Sequence, residues 1–219
     1  MNFFRSLMCT LLLVISFNSA NAQASPPSQA FAQLADKLSA IQSLETSFVQ
    51  TTIDENGQPI QVIKGDLVLE KPLRFFWHTQ NPQPQTIVSN GDILWVYDPD
   101  LEQVIIHNAN QQIANTPIRL LSGEVETLKA NYQIERASID GVERFFLKPQ
   151  QGQEEFEQIV FEFFENSLVK VSLNDSIGQR TVIDFVTPVI NPKISDNTFE
   201  FTIPPDIDVI DERKQRVAQ

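Results

Sequence analysis

Apolar residues change rhythm near residue 47, from a helical spacing to strict alternation. Phe31, Leu34, Leu38, Ile41 and Leu44 recur at intervals of three and four, with Gln33, Asp36, Lys37 and Gln42 between them. That stripe predicts an amphipathic helix of about four turns, with Ser28 placed to cap its start. From Ser47 the period is two, and each alternating run is bounded by turn residues, which predicts strands. Ser47–Ile53 ends at the hairpin signal Asn56-Gly57, Ile60–Glu70 at Lys71-Pro72, and Arg74–Thr79 at the Asn-Pro-Gln-Pro run of 81–84. Thr86–Ser89 turns through Asn90-Gly91 into Ile93–Tyr97, and Asp98-Pro99-Asp100 leads into Glu102–His107. Later strands are predicted at Asn131–Ala137, Glu143–Lys148, Phe156–Phe163, Val169–Asn174, Thr181–Val186 and Phe199–Ile203. Links this short imply an antiparallel, meandering sheet.

Two segments break the alternation. In the first, Asn108 to Glu126, the run Thr116 to Gly123 predicts a short helix with Thr at the N-cap, Pro at the first helical position and Gly at the stop. In the second, Thr187 to Asn197, Pro188 and Pro192 leave room for one helical turn. A dozen strands with about three helical pieces must bury their apolar faces together. A long antiparallel sheet curls, and the helices are the only elements available to cover its concave side. The expected fold is therefore mainly β with an α lid, enclosing an apolar interior.

Composition narrows the functional classes. The 219 residues carry a net charge of −12 and only seven glycines against thirteen prolines and sixteen phenylalanines. An acidic chain is a poor electrostatic partner for nucleic acid or anionic membrane, and the few glycines argue against a nucleotide cradle. Residues 1–22 read as a secretory signal peptide: Arg5 is the positive n-region, Leu7 to Phe17 the apolar core, and Ala20-Asn21-Ala22 the cleavage site. Cleavage leaves 23–219 as a single domain of 197 residues (219 − 22), with net charge −13 because Arg5 is lost and no acid is. Cys9, the sole cysteine, precedes most of the apolar core, so it is not a lipid-attachment site, and the processed chain has no thiol or disulfide.

Motifs for chemistry are lacking. There is no HExxH, GxSxG, P-loop or GxGxxG, and no cofactor is implied. His78 and His107 fall on predicted strands and read as satisfied strand histidines. Glu154-Glu155 and Asp211-Glu212 read as solvated loop charge rather than a general acid and base. The chain is not read as an enzyme. Aromatics are more informative: Phe75 and Trp77 share one face of their strand, Trp95 and Tyr97 one face of theirs, and Phe161 and Phe163 another. Either they fill an ordinary β core, or some line a cavity for an apolar ligand.

A set of ordered segments carries a resemblance. Gly65-Asp66-Leu67, Lys71-Pro72-Leu73-Arg74-Phe75-Phe76-Trp77-His78 and Pro84-Gln85-Thr86-Ile87-Val88-Ser89-Asn90-Gly91 begin it. Leu94-Trp95-Val96-Tyr97-Asp98-Pro99, Glu102-Gln103-Val104, Asn115-Thr116-Pro117 and the closing Phe199-Glu200-Phe201 to Lys214 continue it. Together they resemble the LolA family of periplasmic outer-membrane lipoprotein carriers across the whole processed chain. The resemblance implies an incomplete antiparallel β-barrel of about eleven strands covered by about three helices. It implies a monomeric periplasmic carrier for acylated lipoproteins. Such a carrier receives them from an inner-membrane lipoprotein-releasing ABC transporter and hands them to an outer-membrane lipoprotein receptor. Position by position, it implies an acyl-binding cavity at Phe75, Trp77, Leu38, Ile118 and Leu121. The family typically has an arginine before the proline that opens the Phe-x-Trp strand, bonded to the lid backbone to hold the cavity shut. Lys71 stands there in this chain, and a lysine offers a point charge in place of a planar fork; the latch is Lys71 or, three residues on, Arg74.

Physical chemistry supports the need for such a carrier. Exposing one chain of about 16 carbons to water costs roughly 13 kcal/mol at about 0.8 per CH₂, so the three chains that the resemblance implies for such cargo do not leave a membrane unaided. A cavity that opens when loaded and closes when empty suffices, without catalysis. Alternatives of other classes are an outer-membrane lipoprotein receptor of the same fold, which would need an acylated cysteine at its N-terminus, a periplasmic lipid-binding protein, and a lipid hydrolase.

Overall fold

The structure is a computed structural model and describes residues 27–80, 82–112, 121, 125–150 and 156–214. Twelve strands form one sheet in the order β12-β6-β5-β4-β3-β2-β1-β11-β10-β9-β8-β7. Its elements in chain order are α1 (Pro27–Ala40), β1 (Ser43–Ile53), β2 (Pro59–Glu70), β3 (Arg74–Thr79), β4 (Gln85–Asn90), β5 (Ile93–Asp98) and β6 (Gln103–Asn108). A single helical turn α2 (Ala109–Gln112) and the helix α3 (Val125–Asn131) follow. The chain then returns as β7 (Tyr132–Ile139), β8 (Val142–Pro149), β9 (Phe156–Phe164), β10 (Ser167–Asp175), β11 (Arg180–Ile190) and β12 (Asp208–Asp211).

Eleven of the expected strands are present, and turn chemistry explains their register. Gly57 and Gly91 take φ of +79° and +101° at the two predicted hairpins, where only a residue without Cβ is unstrained. At the third, one carboxylate oxygen of Asp98 accepts the backbone N–H groups of Asp100 and Leu101, an Asx turn.

The sheet is strongly curled. Leu94 of β5 and Phe145 of β8 belong to one buried cluster although seven strands separate theirs in the sheet order. Its concave side holds α1 through Ala30, Leu34 and Leu38, none of which is exposed. Phe48, Phe75, Phe145, Phe161 and Phe163 are fully buried around them, so this half of the interior is filled.

Four expectations need correction. The leading helix ends at Ala40 rather than Leu44, and it begins at Pro27, leaving Ser28 inside the first turn. Asn191 explains the early stop: its side-chain oxygen accepts from the amides of Gln42 and Ser43, and its amide donates to the Ala40 carbonyl. Leu44 is therefore buried as a strand residue, paired with Leu69 and Ile190. The strand predicted at Phe199–Ile203 does not form. Phe199 closes a 3-10 turn (Asp196–Phe199), and Phe201 packs on the convex side of the sheet, 6.2 Å from the Trp95 ring and 5.8 Å from Tyr97. The twelfth strand is Asp208–Asp211, which runs parallel to β6, so the sheet has twelve strands rather than about eleven and is not wholly antiparallel. Two helices exceed a single turn among the described residues, rather than about three, and α3 was not expected. The helix predicted over Thr116–Gly123 lies outside the described residues except Leu121, which is helical and buried.

Candidate functional site

Strand β3 organises the concave face. Alternation turns Phe75, Trp77 and Thr79 inward and Phe76 and His78 outward, where the latter two rings stack at 6.2 Å. Across β2 from Trp77 stands Phe48 of β1, its ring centroid 4.0 Å away. The two rings meet because Gly65 lies between them: a Cβ there would come within 2.1 Å of the His78 carbonyl oxygen and 2.5 Å of the Phe48 ring.

Beyond this pair the interior is hollow. A cavity of about 230 Å³ is bounded by Trp77, Ile87, Leu121, Phe156, Leu173 and Phe185, among others. Its wall is mostly apolar and drawn from β3 and β4 on one side of β1 and from β9, β10 and β11 on the other. The structure therefore brings Trp77 and Leu121 together at one cavity. Phe75 and Leu38 sit beside it in the filled core, 2% and 0% exposed, and Ile118 lies outside the described residues. Ile87, Phe156, Leu173 and Phe185 were missed in the sequence. Their only signal was inward phase on their strands, which they share with residues that simply pack. Trp95 and Tyr97 face away from the cavity.

The two latch candidates part company. The Lys71 ammonium donates to the backbone carbonyl of Leu38, 2.6 Å away, in the last turn of α1. Carbonyls of a last helical turn lack helical partners and carry the negative end of the macrodipole. Side chains take three of them here: Lys71 at Leu38, Gln42 at Ser39, and Asn191 at Ala40. Burial pushes the Lys71 ammonium below the usual lysine range. Arg74 instead pairs with Glu70 and Asp196, each at 2.6 Å, with its guanidinium 4.5 Å from the Phe199 ring centre. It pins the C-terminal segment to the outside of the sheet.

A further anchor holds α1 to the far side of the curl. Lys37 pairs with Glu143 of β8 and donates to Asn166 at 2.8 Å; Arg136 reaches the same carboxylate at 2.5 Å. Burial alone would raise the Glu143 carboxyl, but the hydrogen bonds from Lys37 and Arg136 outweigh it and hold the group below the ordinary range.

Both histidines are partnered, His78 with Thr86 of β4 at 3.0 Å and His107 with Glu212, just past β12, at 3.2 Å. Among the described residues, no group of three or more His, Cys, Asp or Glu side chains is arranged to hold a metal. No helix among them is long and apolar enough to cross a membrane.

The family model described as outer membrane lipoprotein carrier protein LolA matches residues 39–202. The chain belongs to the LolA family. An outer-membrane lipoprotein carrier protein of Hahella chejuensis is 40% identical over 181 residues, 82% of this chain and 87% of that one. Another from Azotobacter vinelandii is 37% identical over 213 residues, 97% of this chain and 100% of that one. Among solved structures, an uncharacterized conserved protein from Thermus thermophilus superimposes with a TM-score of 0.51 at 10% identity, covering 84% of this chain and 98% of that one; that likeness speaks for the fold alone. The LolA model spans the Lys71 latch position, β3 and every described cavity residue, so the site belongs to the part of the chain that carries the family.

Proposed function

We infer that this chain is a periplasmic chaperone that carries acylated lipoproteins to the outer membrane, holding their acyl chains in the apolar space beside Trp77. The observation that carries the reading is the cavity at Trp77 and Leu121, inside a chain related to outer-membrane lipoprotein carriers over nearly its full length. The cavity also supports a moving lid. Its volume of about 230 Å³ is below the roughly 300–1,000 Å³ of a pocket for one drug-sized ligand, so three acyl chains require α1 to lift. Phe75 and Leu38 then become part of the acyl surface, as does Ile118.

Lys71 is the latch in this reading. Its single charged hydrogen bond to Leu38 joins α1 to the start of β3, and loading breaks it. Residues 1–22 are removed on export and 23–219 act as one carrier domain, monomeric in the periplasm. Cargo comes from an inner-membrane ATP-driven releasing transporter and goes to an outer-membrane receptor. With no catalytic constellation needed, binding energy alone drives the cycle.

Release of a triacylated lipoprotein from spheroplasts by the purified processed chain tests the reading. Wild type should release it. Trp77→Asp should abolish release while the protein stays folded, since Trp77 is only partly buried. A wild-type protein that releases nothing overturns the proposal, and an acylated cysteine at the processed N-terminus would point to the receptor instead.

A further inference from the structure

The apolar cavity opens towards a second compartment of different chemistry. At the end of the sheet where β1 turns into β2 lies a cleft of about 540 Å³ whose wall includes Gln50, Gln61, Gln83 and Gln85. Gln50 and Trp77 border both spaces, so the cavity and the cleft adjoin across these two side chains. Among the described residues, the side-chain amides of Gln50 and Gln85 make no hydrogen bond, whereas Gln61 donates to Gln83 at 3.0 Å. Among the described residues no lysine or arginine lines the cleft, and Asp98 and Asp100 stand on its wall.

We propose that this cleft is a head-group subsite for the uncharged ester and amide linkages, and the first peptide units, of an N-terminally acylated polypeptide. The proposal rests on the carrier reading above and adds what that reading leaves open, the recognition of the polar end. Acyl chains reach the cavity with their linkages behind them. An ester or amide carbonyl drawn out of water must be given a donor, and a peptide N–H an acceptor, or burial becomes unfavourable. A glutamine amide supplies both, without charge. A phosphate head group would need a cation that this wall lacks and would face two carboxylates. The cleft therefore favours an acylated peptide over a phospholipid, although the two share the same tails.

Three probes on the full processed chain separate the possibilities: a synthetic triacylated lipopeptide, a fluorescent hexadecyl probe without ester or amide, and phosphatidylglycerol. Gln85→Leu and Gln61→Leu remove one amide each at similar size, and neither residue borders the apolar cavity. Lipopeptide affinity should fall about three- to tenfold in each variant, the weight of one neutral hydrogen bond, with hexadecyl binding unchanged. Phosphatidylglycerol should compete more weakly than the lipopeptide for wild type. Equal loss for both acyl probes would mean a structural effect and would overturn the subsite, as would no loss for either, or phosphatidylglycerol competing as well as the lipopeptide. Wild type binding none of the probes would instead overturn the carrier reading.

Discussion

Replacing Lys71 with methionine removes the proposed latch while keeping an unbranched apolar stem. The lost interaction is one ammonium-to-carbonyl hydrogen bond of 2.6 Å at the C-terminal end of α1. Hydrogen bonds involving a charged group contribute about 1.5–3 kcal/mol net, and the helix terminus contributes part of that. Burial of the ammonium works in the opposite direction, as its depressed pKa indicates. A net weight of about 1–2 kcal/mol for the closed form corresponds to a factor of about 5 to 30 in the closed-to-open ratio, since 1.4 kcal/mol is tenfold.

That ratio is measurable in two independent ways. A ligand whose fully bound state requires the open form binds with an apparent affinity scaled by the open fraction, whichever form it first meets. Lys71→Met should therefore bind a fluorescent acyl probe about 5 to 30 times more tightly than wild type. The amides of α1 should exchange with deuterium faster by the same factor, and those of β9 and β10 should not change. Lys71→Arg keeps the charge and should stay near wild type in both assays. Unchanged probe affinity and unchanged α1 exchange in Lys71→Met would refute the latch, because the bond would then be made equally in both forms.

Three other perturbations test the frame around the cavity. Gly65→Ala puts a methyl 2.1 Å from the His78 carbonyl and 2.5 Å from the Phe48 ring; overpacking of about 3 kcal/mol should lower the melting temperature by roughly 6–12 °C, read by calorimetry. Asn191 holds φ +57° and makes three side-chain hydrogen bonds at the end of α1, so Asn191→Gly, which tolerates that φ, should still lose about 2–3 kcal/mol in denaturant unfolding. Glu143 has its pKa depressed in the folded chain, so its contribution is complete above the ordinary glutamate value and disappears as pH falls through the lower folded value. Wild-type α1 should accordingly lose protection, measured relative to the intrinsic exchange rate at each pH, as the solution is acidified, while Glu143→Gln should be poorly protected already at neutral pH and lose little more in acid.

The eleven strands from Ser43 to Ile190 were legible because alternation and turn chemistry are local properties. Asn56-Gly57, Asn90-Gly91 and Asp98-Pro99-Asp100 fix the hairpins wherever the strands go. Strand β12 was not legible: four residues, Asp208 to Asp211, have no pattern of their own, and their pairing is set by the open edge of β6. The Phe-x-Phe of Phe199 and Phe201 looks like a strand face, yet both rings are spent on the convex side, against Arg74 in one case and Trp95 and Tyr97 in the other. Helix α3 had good helix formers in Glu126, Leu128, Lys129 and Ala130, but Val125 and Thr127 are β-branched and there is only one turn of apolar spacing. At the site, what separates Lys71 from Arg74 is that Lys71 alone reaches the Leu38 carbonyl, 33 residues earlier in the chain. No spacing rule contains that distance.

The choice between a filled core and a hollow one had no single answer, and the division has a consequence for transport. Phe75, Phe145, Phe161 and Phe163 pack solidly beneath α1, while the space beside Trp77 stays open. A wholly filled interior would have to part every contact before the first methylene entered. A wholly hollow one would hold water against an apolar wall when empty. With a small hollow at one side, a chain end can enter the closed form and gain about 0.8 kcal/mol per buried CH₂. Two or three methylenes then match the weight of the Lys71 bond, and α1 lifts progressively as the rest of the chain follows. Unloading reverses the sequence: as the tails withdraw, the aromatic core re-forms beneath α1 and favours completion of the transfer. Trp77, on the boundary between hollow and polar cleft, is where that sequence begins and ends, so Trp77→Ala should slow acyl uptake more than it weakens final affinity. Stopped-flow binding separates the two, and a purely equilibrium effect with an unchanged on-rate would rule out entry at that point.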